Sequence, residues 1–189
     1  MVEIKPITVY EWRVEWIRQQ RNRPELMKYF RQNAPISYMD QKLWYMGLNT
    51  KKVKLWVITT GNPDPKVVGY VGLNPIDLVH CRAEFGIFVI PEDQGKGYAT
   101  EAMKLLIKYV FEDLKLNKLY SDVFDYLGEN RFDFYKDLKF KTEGRLRQHY
   151  FKSGQWVDSI QFSMLKEEYA KNKSVLEPRK PQLAGVGVE

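Results

Sequence analysis

The chain has 189 residues, 44% of them hydrophobic, and a formal net charge of +6; this much apolar chain can bury one core, which excludes a disordered protein. Its single cysteine, Cys81, excludes a disulfide framework and any zinc site that needs two thiolates, and with only two histidines we expect no metal site. No run of about 18 apolar residues is present to span a membrane, and the first residues lack an apolar signal segment, so we expect a cytoplasmic protein without a membrane partner.

Capping and turn signals divide the first 50 residues into one strand and three helices. Thr8 and Glu11 have the spacing of a capping box, and Pro24 suits the first turn of a helix. Ser37 and Asp40 form a further N-cap signal. We predict a strand over Val2–Ile7, a helix from Thr8 that is broken at Arg21–Pro24, a second from Pro24 that ends at Asn33–Pro35, and a third from Ser37 to Gly47.

The rest of the chain reads as strands interrupted by helices. Alternation and turn residues predict, in order, a hairpin of Lys54–Thr60 and Lys66–Leu73, a buried strand Ala83–Ile90, a helix Ala99–Leu114, a strand Lys118–Phe124, a helix Asn130–Leu138, and two closing strands, Lys139–Phe151 and Trp156–Leu165. Prolines and glycines then predict a flexible tail over Lys171–Glu189. We therefore expect a single α/β domain over residues 1–170, a mixed, mostly antiparallel sheet flanked by helices.

The positive charge is concentrated at the start of the chain. Residues 1–54 carry eleven basic and five acidic side chains, so this segment alone accounts for the net charge. A local positive field favours anionic partners such as phosphates and nucleotides, although a solvated helix face explains it equally well.

A glycine-rich loop lies between the buried strand and the long amphipathic helix. Successive backbone N–H groups and the positive helix end at this point form a site for phosphate or pyrophosphate. Gly97 is not followed by the Lys-Ser/Thr of a Walker loop, and Thr100 stands where a dinucleotide loop has its third glycine. The loop and helix start comprise Gln94, Gly95, Lys96, Gly97, Tyr98, Ala99 and Thr100.

Gln94, Gly97 and Ala99 satisfy the pattern Gln/Arg-x-x-Gly-x-Gly/Ala, which resembles the acyl-CoA pyrophosphate loop of the GNAT superfamily of N-acetyltransferases. The resemblance extends over residues 8–169. Tyr135–Phe140 is similar to the family's Tyr-x-x-x-Gly-Phe, with Lys139 at the usual glycine. Two later segments, Thr142–Arg147 and Gly154–Asp158, resemble the branch that acetylates ribosomal-protein N-termini.

The resemblance implies a GNAT-like fold, acetyl-CoA as acetyl donor, and roles for named residues. It implies that Tyr135 protonates the leaving thiolate and that Glu84 acts as general base. The residues alone leave two alternatives open: Tyr135 as a core aromatic, and Glu84 as a glutamate paired with a basic group. It implies that the N–H of Phe88 or Val89 polarises the thioester carbonyl. The family's cofactor-holding asparagine falls at Gly128. The implied cofactor-binding residues are Phe88, Val89, Ile90, Gln94, Gly95, Lys96, Gly97, Tyr98, Ala99, Thr100 and, in place of that asparagine, Asn130.

The identity of the acceptor is left open among three hypotheses. Arg21, Asn22 and Trp44 resemble residues of acetyltransferases that act on nucleotide-linked amino sugars, although Gln41 replaces their histidine. Together with the basic segment, this favours a small anionic amine over a polyamine, which requires an acidic site. The alternatives are transfer to a protein N-terminus or aminoacyl group, and a non-catalytic module that binds acyl-CoA or RNA. In the favoured hypothesis nucleic acid is not a partner, and a homodimer is possible.

Overall fold

One seven-stranded sheet organises the molecule, in the order β1-β2-β3-β4-β5-β7-β6. The computed structural model describes residues 2–7, 11–61 and 65–179, without the side chains of residues 129 and 130. β4 and β5 pair in parallel and every other neighbouring pair is antiparallel, as the sequence predicts. The strands are β1 Val2–Pro6, β2 Lys54–Thr60, β3 Lys66–Asp77, β4 Arg82–Val89, β5 Lys118–Phe124, β6 Lys141–Lys152 and β7 Gln155–Leu165.

Helices cover both faces of this sheet. Side chains of α1 pack with Val57 of β2 on one face. The larger core lies on the other face, where α3, α4 and α5 pack over the middle strands. The helices are α1 Glu11–Arg21, α2 Tyr38–Met46, α3 Tyr98–Lys108, α4 Glu129–Asp137 and α5 Lys166–Leu176. Within the described residues, none of them is long and apolar enough to cross a membrane.

The sheet opens between β4 and β5. These strands pair only from Arg82–Glu84 to Lys118–Tyr120. Past Tyr120, β5 continues against β7 as far as Phe124, while β4 continues against β3 as far as Val89. A gap, referred to below as the splay, therefore separates the second halves of two central strands.

The helix predicted from Pro24 is absent. Its residues form a single turn of 3-10 helix, Met27–Tyr29, which ends at Phe30. A segment of fewer than ten residues is too short to hold an α-helix by propensity, and this one is held instead by burial of Leu26 and Phe30 beside Phe88 of β4.

The predicted start of the flexible tail is also wrong. Residues 171–176 are the second half of α5, and Leu176 at its end is 1% exposed and lies in the main core. The prolines and glycines that suggested a tail stand later in the chain. Residues 180–189 lie outside the described part, as do Thr8 of the predicted capping box and the turn at residues 62–64.

Candidate active site

Two glycines shape the loop between β4 and α3. Gly95 and Gly97 have φ angles of +75° and +79°, a left-handed conformation that L residues adopt at a cost. Gly97 is the N-cap of α3, so no side chain occupies the helix end, and a Cβ built on either glycine meets nothing within 4 Å. The N–H groups of Tyr98, Ala99 and Thr100 form the first turn, which has no acceptors within the helix. This cradle fits a pyrophosphate.

Asp93 fastens this loop to the sheet. Its carboxylate, 5% exposed, accepts hydrogen bonds from Lys66 Nζ of β3 at 2.6 Å and from Lys96 Nζ at 2.7 Å. These hydrogen bonds hold the pKa of Asp93 below its usual value. Lys96 was predicted to contact the cofactor, and its ammonium group also reaches the Glu92 carbonyl at 3.0 Å. Lys96 therefore helps to shape the loop itself.

The edge of β4 that faces the splay offers the N–H of Val89. The Ile90 N–H donates to the Val68 carbonyl of β3 at 2.9 Å. Backbone groups of successive residues point to alternate sides of a strand, so the N–H and carbonyl of Phe88 also point toward β3. The backbone N–H and carbonyl of Val89 point away from β3, and this carbonyl accepts a hydrogen bond from Gln94 Nε2 at 2.8 Å. Of the two residues predicted to polarise a carbonyl, the geometry favours Val89.

Tyr135 is positioned by the end of α4. Phe140 N–H bonds the Tyr135 carbonyl at 3.0 Å, and Lys139 N–H bonds the Lys136 carbonyl at 2.8 Å. Lys139 has a φ angle of +67°. These are the two bonds and the left-handed residue of a Schellman motif, with Phe140 packed back onto Tyr135. The pattern Tyr-x-x-x-Gly-Phe is thus a helix-ending motif that holds the tyrosine in place.

The phenol of Tyr135 lies beside β5, where the splay begins. Its ring is buried, stacks on Phe162 at 4.8 Å and contacts Phe85 of β4. Its side chain forms a hydrogen bond with Ser121. Burial raises the pKa of Tyr135 to about 12, and the Ser121 bond offsets part of the rise. The phenol therefore carries its proton at neutral pH.

Glu84 lies on the opposite face and is paired with a basic group, the alternative that the sequence left open for it, but the partners in this cluster were not predicted. Arg31 Nη2 contacts both Glu84 Oε1 and Asp122 Oδ1, the latter at 2.6 Å. The Tyr150 hydroxyl donates to the same Asp122 oxygen at 3.1 Å. The Glu84 and Asp122 side chains are only 17% and 8% exposed. A lone aspartate in the apolar pattern Lys118–Phe124 was the sequence signal for this cluster.

The Tyr135 phenol and the carboxylates of Glu84 and Asp122 lie on opposite faces of the sheet at the splay. Glu84 pairs with Tyr120 in the last rung between β4 and β5. The next two residues of β5 point to opposite faces of the sheet: Ser121 to the face of Tyr135, and Asp122 to the face of Glu84. A proton donor and a proton acceptor therefore flank the gap where the strands separate.

The predicted acceptor residues of the N-terminal segment have structural contacts. Both ends of the Asn22 amide bond the backbone of Ile36, at 2.7 and 2.8 Å. Arg21 lies over the Phe30 ring, 5.5 Å from its centroid. Trp44 on α2 is 38% exposed. None of the three has a described contact with Glu84, Asp122 or Tyr135, and Arg21 reaches β4 only through Phe30, which packs on Phe88.

The backbone conformation at residue 128 explains why glycine stands where the family has an asparagine. Gly128 is the N-cap of α4 with φ +81° and ψ 172°, a region that is essentially restricted to glycine. Asn130 lies in the first turn of α4, and its side chain is outside the described residues.

Comparison with known proteins places this geometry in a family. A family model described as an acetyltransferase (GNAT) domain matches residues 4–125. The chain belongs to the GNAT acetyltransferase family. The loop, the splay and the proton-carrying groups described above thus belong to an acetyl-CoA-dependent N-acetyltransferase.

Relatives of this acetyltransferase have different acceptors in their names. It is 31% identical over 169 residues to a spermidine N(1)-acetyltransferase of Escherichia coli (strain K12), covering 89% of this chain and 88% of that protein. It is also 31% identical over 111 residues to a putative ribosomal N-acetyltransferase of Bacillus subtilis (strain 168), covering 58% and 60%. A spermidine N-acetyltransferase from Vibrio cholerae, crystallised with CoA and spermine, shares the fold with a TM-score of 0.81 at 24% identity, over 89% of this chain and 98% of that one.

Proposed function

We propose that this acetyltransferase transfers the acetyl group to a primary amine of a linear polyamine. The observation that carries the proposal is the convergence of two largely buried carboxylates, Glu84 and Asp122, on a single cationic nitrogen beside the splay. Carboxylates placed in this way favour a cationic acceptor. The name of the Escherichia coli relative supports the same class of acceptor.

Two arginines of the basic N-terminal segment, which favoured an anionic acceptor, are already paired with carboxylates. Arg18 pairs with Glu15, and Arg23 pairs with Glu25 and Glu92. A guanidinium that already has a carboxylate partner adds little attraction for a phosphate. These pairs, together with the carboxylates at the splay, make a nucleotide-linked amino sugar the less favoured acceptor.

Each residue at the splay has a task in this reaction. Acetyl-CoA, when bound, supplies the acetyl group as an activated thioester. Glu84 accepts a proton from the acceptor's ammonium group, which frees the nitrogen lone pair for attack. Val89 N–H stabilises the negative charge that develops on the carbonyl oxygen. Tyr135 supplies a proton to the departing sulfur. The second proton that the nitrogen loses as the amide forms returns through solvent to the Tyr135 phenolate, and Glu84 releases the first proton to solvent.

The test measures free thiol released from acetyl-CoA with spermidine, a nucleotide-linked amino sugar and an N-terminal peptide as alternative acceptors. We expect release with spermidine. Release with the peptide alone would instead support the ribosomal type of transfer. Release with the amino sugar alone, or with none of the three, would overturn the proposed acceptor.

Two substitutions test the proton-carrying groups. We expect Tyr135→Phe and Glu84→Gln each to lower kcat by about a hundredfold or more, the usual contribution of a positioned acid or base. The matched control is Tyr169→Phe in α5, which removes a partly buried hydroxyl that donates to Glu112 and should leave kcat unchanged. Equal kcat for Tyr135→Phe and the wild type would remove Tyr135 from the mechanism. Cytoplasmic location and a homodimer stay predictions.

A further inference from the structure

Arg31 lies across the acceptor side of the splay. Its Nη2 contacts Glu84 of β4 and Asp122 of β5, and its guanidinium lies 5.1 Å from the centroid of the Tyr150 ring. The arginine side chain is 46% exposed, whereas the Glu84 and Asp122 side chains are 17% and 8% exposed, so Arg31 lies on the solvent side of the two carboxylates. Both carboxylates belong to the sheet, whereas Arg31 belongs to the segment that follows the 3-10 turn.

The site under Arg31 is built for more than this one contact. Asp122 is more than nine-tenths buried, and no described residue donates a hydrogen bond to its second oxygen, Oδ2. Leaving a buried carboxylate oxygen without a donor is costly. Gly86 lies between Glu84 and Phe88 on the same face of β4, and a Cβ built there meets nothing within 4 Å. The carboxylate that Arg31 contacts thus has an unpaired oxygen, and the strand face that carries Glu84 has open space two residues further along.

A primary ammonium matches this site better than the guanidinium does. A single nitrogen of Arg31 reaches both carboxylates, so one ammonium nitrogen at that position can also reach both. An ammonium carries three N–H donors, while a guanidinium NH2 group carries two. The additional donor can satisfy the oxygen of Asp122 that Arg31 leaves unpaired.

We propose that Arg31 is an internal cation that occupies the acceptor subsite, and that the acceptor's ammonium group binds by displacing it from Glu84 and Asp122. This inference rests on the proposed polyamine acceptor. Asp122 then anchors the ammonium, and Glu84 becomes available to take its proton only after Arg31 has left. Arg31 is a positioning residue, because it sets which acceptors bind and how tightly, and it has left Glu84 before the proton is transferred.

The surrounding chain allows this exchange without rearranging the backbone. Phe30 is buried beside Phe88, and Asn33 Nδ2 donates to the Phe151 carbonyl at 2.9 Å. The backbone is thus anchored on both sides of Arg31, and rotation of its exposed side chain is enough to open the subsite. The apparent Kd of an acceptor that competes with such an internal cation equals its intrinsic Kd divided by the fraction of molecules in which the subsite is open.

The first test compares KM and kcat for spermidine between the wild type, Arg31→Ala and Lys28→Ala. Lys28 lies on the Tyr29 ring in the same segment, so its substitution removes the same charge without opening the subsite. We expect Arg31→Ala to lower KM by about tenfold, because the competing cation is gone, and Lys28→Ala to leave it within about twofold. An unchanged or raised KM in Arg31→Ala would overturn the inference.

The second test uses methylguanidinium as an inhibitor. In Arg31→Ala it should inhibit competitively against spermidine, since it restores the lost group at the acceptor's position. The wild type should be inhibited far less at the same concentration. Non-competitive inhibition, or equal inhibition of both proteins, would contradict a shared site. If Arg31→Ala does not fold, Arg31→Gln serves the same comparison.

The two proposals fail in different ways. If no variant acetylates spermidine, the proposed acceptor class is wrong, and the inference about Arg31 falls with it. If the wild type acetylates spermidine and Arg31→Ala behaves like Lys28→Ala, the acceptor class stands and only the inference fails.

Discussion

Lys139 adopts a strained left-handed backbone conformation that helps to hold Tyr135 in place. It is the left-handed residue that ends α4, and the bonds around it fix Tyr135 four residues earlier. A lysine pays for this conformation because its Cβ crowds the following carbonyl. The family's usual glycine has no such cost, so the departure concerns stability and leaves the position of Tyr135 intact.

We therefore expect Lys139→Gly to raise the free energy of unfolding by about 1 kcal/mol, because only the left-handed strain is removed. Urea denaturation measures it. Lys139→Ala is the control, since alanine keeps the Cβ and should leave stability nearly unchanged. Equal effects of the two substitutions would show that the lysine side chain, not its backbone angle, matters.

The loop between β4 and α3 contains glycines in left-handed conformations and is held in place by the hydrogen bonds of Asp93. The glycines leave the helix end open, and the anchored carboxylate keeps the loop from collapsing into that opening. An element that binds an anion through backbone N–H groups needs both properties, since those groups must stay pointed outward before the anion arrives.

Asp93→Asn should lower the free energy of unfolding by about 1 kcal/mol at pH 7, a modest figure because water screens the partly exposed Lys66 and Lys96. The pKa of Asp93 is lower in the folded state, so its stabilisation is complete above its usual value of 3.8 and is lost as pH falls through the folded value. The difference between wild type and variant should be constant from about pH 5 to 8 and shrink below about pH 4. A difference that grows toward acid would refute this assignment.

At the scale of the whole molecule, the splay exists because each central strand has another partner. β4 is held by β3 along its length and β5 by β7, so the twist of the sheet separates them once their own short ladder ends. One large core beneath the sheet holds this opening in shape. That core extends to the end of α5, where Leu176 is 1% exposed.

Leu176→Ala should therefore destabilise the protein by about 2–4 kcal/mol, the usual cost of truncating a buried leucine. The neighbouring Val175 is 53% exposed, and Val175→Ala should cost far less. Thermal unfolding of the two variants makes the comparison. Similar melting temperatures would mean that α5 does not contribute to the core.

The sequence by itself predicted the seven strands in order, most of the helices and the glycine-rich loop before α3, because each is encoded by local spacing, and a family resemblance pointed to Tyr135. Local pattern misled where packing decides, as in the Pro24 segment, which became a 3-10 turn, and at residues 171–176, which complete a helix. Only the tertiary structure brought together Arg31, Glu84 and Asp122, which lie far apart in the chain. The charge of a segment does not reveal which carboxylates will pair with its arginines, so only the fold shows that Arg31 lies between Glu84 and Asp122, the observation on which the proposed acceptor rests.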